Sequence, residues 1–213
     1  MTERRELGRV AALHAALAAL SFAPVWSRFE TALYARTVYD LGTNLWVLWW
    51  GPEALLRGLD PFVTTALYHP AGSRLTVDAN LPLWLSAAPL RAVFGVVGSF
   101  NALAAFSFAA TGVAAYALLR RFSESRAGCQ LGSIAFAYSS YRGYAVLSGY
   151  GEMLQTQWAV LLALACVDHA RAPRGRRPAV AAAALVAAVA EPRTSRMTAL
   201  LRAAAGAWAA ARP

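Results

Sequence analysis

Lysine is absent from the 213 residues, so the formal net charge of +9 is carried by arginine alone. Charge of either sign is scarce, at 15% of residues, while 58% are hydrophobic and the mean hydropathy is +0.42. A chain with so little polar surface cannot cover a soluble globule, and lipid is expected to be its main solvent. The arginines fall in clusters between apolar runs rather than along a stripe, which points to membrane topology and away from nucleic acid. Only two cysteines occur, Cys129 and Cys166, each inside an apolar run, and neither a disulfide nor a cysteine metal site is expected. The phosphate-binding loop, the dinucleotide glycine fingerprint and a supported Ser/His/Asp set are missing too, which excludes the common soluble nucleotide and hydrolase chemistries.

What is present is a series of apolar segments near the length that crosses a bilayer, about 20 residues. Leu7 to Trp26 follows the charged start "MTERRE". It lacks a good cleavage site and reads as a retained anchor, not a signal peptide. Phe100 to Phe122 is rich in small residues that let helices pack closely. Cys129 to Leu147 follows, its second half turning polar and aromatic, then "MLQTQWAVLLALACVDHA". Beyond Pro178 come the alanine run Ala179 to Ala190 and a basic, low-complexity tail.

Short cytoplasmic loops carry the excess of positive charge. Arg4, Arg5 and Arg9 therefore place the N-terminus inside, and Arg120, Arg121 and Arg126, with Arg171, Arg174, Arg176 and Arg177, mark two further inside positions. That parity leaves residues 27–98 outside, including Leu81 to Gly98. Pro82, Pro89 and Arg91 interrupt this segment, and a charge at the bilayer centre costs about 2.5–3.5 kcal/mol; it is expected to lie in the membrane plane. Asn44 to Gly58, with Trp46, Trp49 and Trp50, has the same character. The rival reading makes Leu81 to Gly98 a true span and moves the next arginine clusters outside.

The expected fold is an all-α membrane protein of about four to five transmembrane helices whose long first external loop carries in-plane helices. Its parts are an anchor helix at 1–26, the external loop at 27–98, a helix bundle at 99–192 and the basic tail at 193–213.

The order of these features, with "LLRGLDPF", "YHPAG", "LPLWLSAAPLRAVFG" and "YALLRRF", resembles the N-terminal part of the GT-C class of integral-membrane glycosyltransferases, nearest to its bacterial polytopic members. The resemblance runs from Leu7 to Arg177 and rests on order and topology more than on one signature. It implies an inner (plasma) membrane protein, N-terminus cytoplasmic, that transfers a sugar from a polyprenyl-phosphate carrier at the outer face, with inversion. Membrane lipid and the polyprenyl-phosphate sugar are the implied partners. Because such enzymes usually continue for several more spans, the chain is expected to be a partial one that further protein completes. The alternative is an inactive remnant, or a structural or transport-associated polytopic membrane protein.

In that class an acid of the first external loop works at the catalytic centre, and the matching position is Asp40 of "YDLGTNLW". A carboxylate there can accept the acceptor hydroxyl's proton or help hold a divalent metal, although nothing in the sequence requires one. Asp40 reads equally as a helix cap. Asn44, Trp46, His69 and Glu152 are the candidate substrate-binding residues. Each has a plainer reading: a solvated loop residue for His69 and Glu152, an interfacial belt for the tryptophans. Asp60 of "GLDPF" reads as a turn former, and His14 and His169 as helix residues.

Overall fold

The computed structural model describes residues 3–35, 40–74 and 81–171. The Ala179 to Ala190 run, the tail at 193–213, the arginines at 174, 176 and 177, and Asp78 lie outside the described residues.

The first helix, α1 (Glu3–Ser21), is built from alanine and leucine, among the best helix formers. Pro24, near the start of a 3₁₀ helix at Ala23–Arg28, prevents its continuation. The helix thus ends before Trp26, the expected limit, and Trp26 folds back so that its Nε1 donates to the Ala19 carbonyl at 2.7 Å. Next come α2 (Leu41–Leu56) and two short antiparallel strands, β1 (Val63–Thr64) and β2 (Ser73–Arg74). That hairpin was not anticipated by the all-helical expectation, but the chain is otherwise mostly helical.

The long helix α3 (Leu81–Leu119) contains one break, Gly95, at φ 65° and ψ −171°. Glycine reaches this region readily because it has no Cβ. The break divides α3 into an arm at 81–94 and a longer arm at 96–119, so the boundary falls a few residues before the expected Gly98. Residues Leu85–Leu119 are the one helical stretch among the described residues that is long and apolar enough to cross a membrane on its own.

The expected span Cys129 to Leu147 is instead two helices, α4 (Arg126–Ala137) and α5 (Ser140–Leu147). Tyr138 leaves the helix to donate its hydroxyl to the His14 carbonyl at 2.7 Å, and Ser139 adopts an extended backbone. Buried Arg142 donates Nη1 to the Ala137 carbonyl at 2.9 Å, which satisfies an acceptor at the broken end. A 3₁₀ helix at Gly151–Gln155 then leads into α6 (Thr156–Arg171).

Helix α3 is the centre, packed by α1, α2, α4 and α6. Its surroundings are mainly apolar, with Phe22, Leu48, Leu83, Phe100, Leu103 and Phe108 buried, but they also enclose polar side chains: His14, Ser99, Asn101, Ser107, Thr111, Ser133 and Gln157 are all buried. Asn101 alone donates Nδ2 to the Phe29 and Ala32 carbonyls at 2.8 Å each, and its Oδ1 accepts from the Tyr34 N–H at 3.0 Å. Conversely Leu13, Leu20, Phe106, Leu131 and Phe136 face outward.

The two ends of the bundle differ in charge. At one end Glu6 of α1 meets Arg120 at 3.3 Å and Arg126 at 2.9 Å, and Tyr116 donates its hydroxyl to it. Arg121 and Asp168 form a two-pronged pair at 2.6 and 3.2 Å there, joining α3 to α6. The start of α1, the end of α3, the start of α4 and the end of α6 are thus gathered together. At the opposite end Asn44 of α2 donates to the Gly149 carbonyl at 2.7 Å.

Candidate functional site

The end of the bundle opposite Glu6 carries α2 and the hairpin, and every expected site residue belongs to it. Asp40 occupies the N-cap position of α2, yet its side chain makes no capping hydrogen bond. Its backbone, at φ −88° and ψ −1°, is helical, whereas a side-chain cap normally needs an extended backbone. The carboxylate is exposed. Asn44 does the tethering instead: Nδ2 donates to the Asp40 carbonyl at 3.0 Å as well as to Gly149. A Cβ on Gly151 would overlap the Asn44 amide, and one on Gly149, at φ 81°, would stand 2.8 Å from the Leu41 backbone. Asn44 is therefore a joint between α2 and the turn before α6.

Trp46, Trp49 and Trp50 lie on one face of α2. Trp46 stacks on Trp50 with centroids 5.7 Å apart and meets Trp49 edge-on at 6.4 Å. Leu67 of the hairpin packs against the set, and Trp50, only 8% exposed, donates Nε1 to the Pro61 carbonyl at 3.2 Å. The tryptophans thus seat the hairpin on α2, with Trp50 buried and Trp46 and Trp49 half-buried. Asp60 is the turn former expected, its Oδ1 accepting the Phe62 N–H at 2.8 Å.

Between the first turns of α2 and the hairpin lies a cavity of about 390 Å³. Gly42, Thr43 and Trp46 form one wall; Tyr68, Ser73 and Arg74 form the other. The first turn of a helix carries N–H groups with a partial positive charge, and Arg74 adds a cationic residue to the same lining. Together with the Trp46 and Tyr68 rings, this lining suits an anionic group attached to a sugar or another flat-faced ligand. Of the expected residues only Trp46 lines it. Asp40 stands two positions before Gly42, and His69 is exposed beside Tyr68. Glu152 lies in the 3₁₀ helix next to the Asn44 joint, its side chain outside the described part.

Tyr68 and Arg74 were missed in the sequence. Their signal was the hairpin pattern itself, "FVTTALYHPAGSRLTV": β-branched runs either side of Pro and Gly. Gly72, at φ 75°, closes it, and a Cβ there would press on the Thr64 carbonyl at 2.8 Å.

Glu53 braces the site from below. Arg91 of α3 donates Nη2 to Glu53 Oε2 at 2.6 Å and Nη1 to the Trp49 carbonyl at 2.7 Å, while Arg57 donates Nε to Oε1 at 2.8 Å. The Arg91 hydrogen bond, then that of Arg57, holds the Glu53 carboxyl below its ordinary 4.5. A depressed carboxyl contributes stability above its unfolded pKa and loses it as pH falls through the folded value. Acidification below about pH 4.5 is therefore expected to loosen α2 from α3, read as a tryptophan emission shift. The Glu53→Gln variant should lack that part of the transition. An identical acid transition in both would remove Glu53 as its cause.

No family model, curated protein or solved structure matches the chain.

Proposed function

We propose that this chain is a multi-pass protein of the bacterial inner membrane, N-terminus cytoplasmic, whose external cavity serves transfer of a sugar from polyprenyl phosphate. In this reading α1, the long arm of α3, the broken pair α4–α5, and α6 cross the bilayer, and α2, the hairpin and the short arm of α3 lie outside. Two features support the crossing: buried serines, asparagine, glutamine and histidine join the helices within an otherwise apolar core, and Leu13, Leu20, Phe106, Leu131 and Phe136 are exposed on the outside. Leu85–Leu119, the one described stretch long and apolar enough to span on its own, supports at least one crossing. Helix α1, charged in its first two turns, would reach ~28 Å over 19 residues at about 1.5 Å each against a hydrocarbon core of ~30 Å. The 12 residues of α4 and 8 of α5 together provide a similar length.

The transferase reading is carried by one observation. Arg74, Trp46 and Tyr68 share a cavity beside the start of α2, at the end of the bundle opposite the Glu6 arginine cluster. A carrier whose tail remains in the outer leaflet would present its phosphate and sugar at this level. Arg74 and the α2 amides would hold the phosphate, and the rings the sugar.

The test is photolabelling in membranes with a diazirine-bearing polyprenyl-phosphate hexose. Crosslinks are expected in residues 42–46 and 67–74, displaced by unlabelled polyprenyl-phosphate hexose and not by polyprenol. Arg74→Ala should lower labelling by about tenfold, the loss of one charged hydrogen bond of ~1.5 kcal/mol or more. Labelling that polyprenol displaces equally well would remove the transferase reading and leave a structural membrane protein.

A further inference from the structure

Where α2 ends and the hairpin begins, Leu55, Leu56, Leu59, Phe62 and Val63 are all exposed, Leu56 at 82%. Their backbone is fixed. Gly58, at φ 66°, turns the chain, with Gly58 N–H donating to the Leu55 carbonyl at 3.1 Å and Leu59 N–H to the Ala54 carbonyl at 2.8 Å. The Asp60 turn follows, and Trp50 grips the Pro61 carbonyl from behind. These five apolar side chains therefore share one compact, braced tip.

Such a concentration of large apolar side chains on a surface marks a place of contact. Arg57 and Arg91 both pair with Glu53 at the end of α2, Arg74 stands opposite Val63 across the hairpin, and Asp60 is in the turn, so three arginines against two carboxylates leave one positive charge in excess. The Glu53–Arg91 pair fastens the last turn of α2 to the short arm of α3. On that arm Leu85 and Val93 are exposed as well, leading to Gly95, where the long arm starts. The tip thus sits on the end of α2 that Arg91 fastens to the short arm, with arginine beside it that complements lipid phosphate.

We propose that the tip of Leu55, Leu56, Leu59, Phe62 and Val63 inserts into the outer leaflet of the membrane that the bundle crosses, and that this contact sets the depth of α2 and its cavity. Trp50, buried against the hairpin, does not perform that task. The inference rests on the membrane reading above, though not on the transferase reading.

The test uses the full chain reconstituted in phosphatidylglycerol–phosphatidylethanolamine vesicles. With Cys129 and Cys166 replaced by alanine, single spin labels are placed through Leu56→Cys, Phe62→Cys, Ala71→Cys and Phe106→Cys. Collisions with oxygen and with a water-soluble nickel chelate are then compared. Labels at 56 and 62 are expected to share the several-fold oxygen excess of position 106 on the outward face of α3, while position 71 on the hairpin favours the nickel reagent. Leu55→Cys takes the place of Leu56→Cys if that variant does not fold. Position 106 in lipid with 56 and 62 as wet as 71 would overturn the insertion and leave the membrane reading standing. Position 106 in water would remove both. Shielding of 56 and 62 from both reagents, with spin broadening that disappears on dilution with unlabelled protein, would mean a second copy covers the tip and would equally overturn the proposal.

Discussion

Replacing Gly112 with leucine is expected to detach α1 from α3 and lower the melting temperature by about 6–12 °C, from a loss of ~3 kcal/mol. A Cβ at Gly112 would overlap the imidazole of His14 at Nδ1 and Cε1 and stand 2.6 Å from its Cγ. The ring cannot swing aside cheaply. It is fully buried, Ser133 Oγ lies 3.1 Å and Gln130 Nε2 3.2 Å from its Nε2, and Tyr138 stacks parallel to it with centroids 5.8 Å apart. Overpacking costs ~1–3 kcal/mol, and each hydrogen bond lost adds about 1; better helix propensity returns about 1. Gly8 on the same α1 helix has open space around it, so Gly8→Leu should be harmless by comparison. Size-exclusion profiles after heating in detergent would compare the three proteins. A Gly112→Leu protein that melts with its parent would mean that α1 is not seated on α3 through His14.

His14 shows why part of this architecture was legible and part was not. The helical segments follow from local composition: Glu6, within the charged start of α1, meets Arg120 and Arg126, and the proline- and arginine-bearing segment separates from the long arm at Gly95. Interactions that join distant residues leave no local trace. Tyr138 breaks its helix to reach an acceptor 124 residues away, so a plausible span became α4 and α5. Arg91 looked like an isolated charge until Glu53, 38 residues earlier, supplied its partner. The tryptophans held a signal that composition obscured, because positions 46, 49 and 50 follow the i, i+3, i+4 spacing of a packed helical face. Aromatic content suggested a membrane belt, whereas spacing indicated a seat for the hairpin. At the site, the sequence identified a helix at Asn44 to Gly58 with Asp40 before it, against the observed Leu41–Leu56, but not the opposing wall. Recognition of Tyr68 and Arg74 depends on seeing a hairpin of two-residue strands, too short for periodicity to reveal.

The remaining large effect concerns Asp40. Asp40→Asn is expected to lower the proposed transfer by about 100-fold or more while leaving the melting temperature unchanged. The second half of that expectation comes from geometry: the side chain is exposed and caps nothing, so an isosteric amide removes no stabilising contact. The first half comes from chemistry. As the acceptor oxygen bonds to the anomeric carbon, its proton must leave, and the bond to the polyprenyl phosphate breaks with its electron pair departing on the phosphate. A carboxylate at the start of α2, two residues before the cavity wall at Gly42, can take that proton, and an amide cannot. Asp60→Asn provides the contrast, since its carboxylate already holds the Phe62 N–H in a turn. That change should cost up to about 1 kcal/mol of stability and far less activity. Transfer from radiolabelled polyprenyl-phosphate hexose in membranes gives the rate, and melting gives the control. Near-normal transfer by Asp40→Asn would leave Asp40 as a solvated helix start and move the search for the base to the hairpin wall, where His69 stands next to Tyr68.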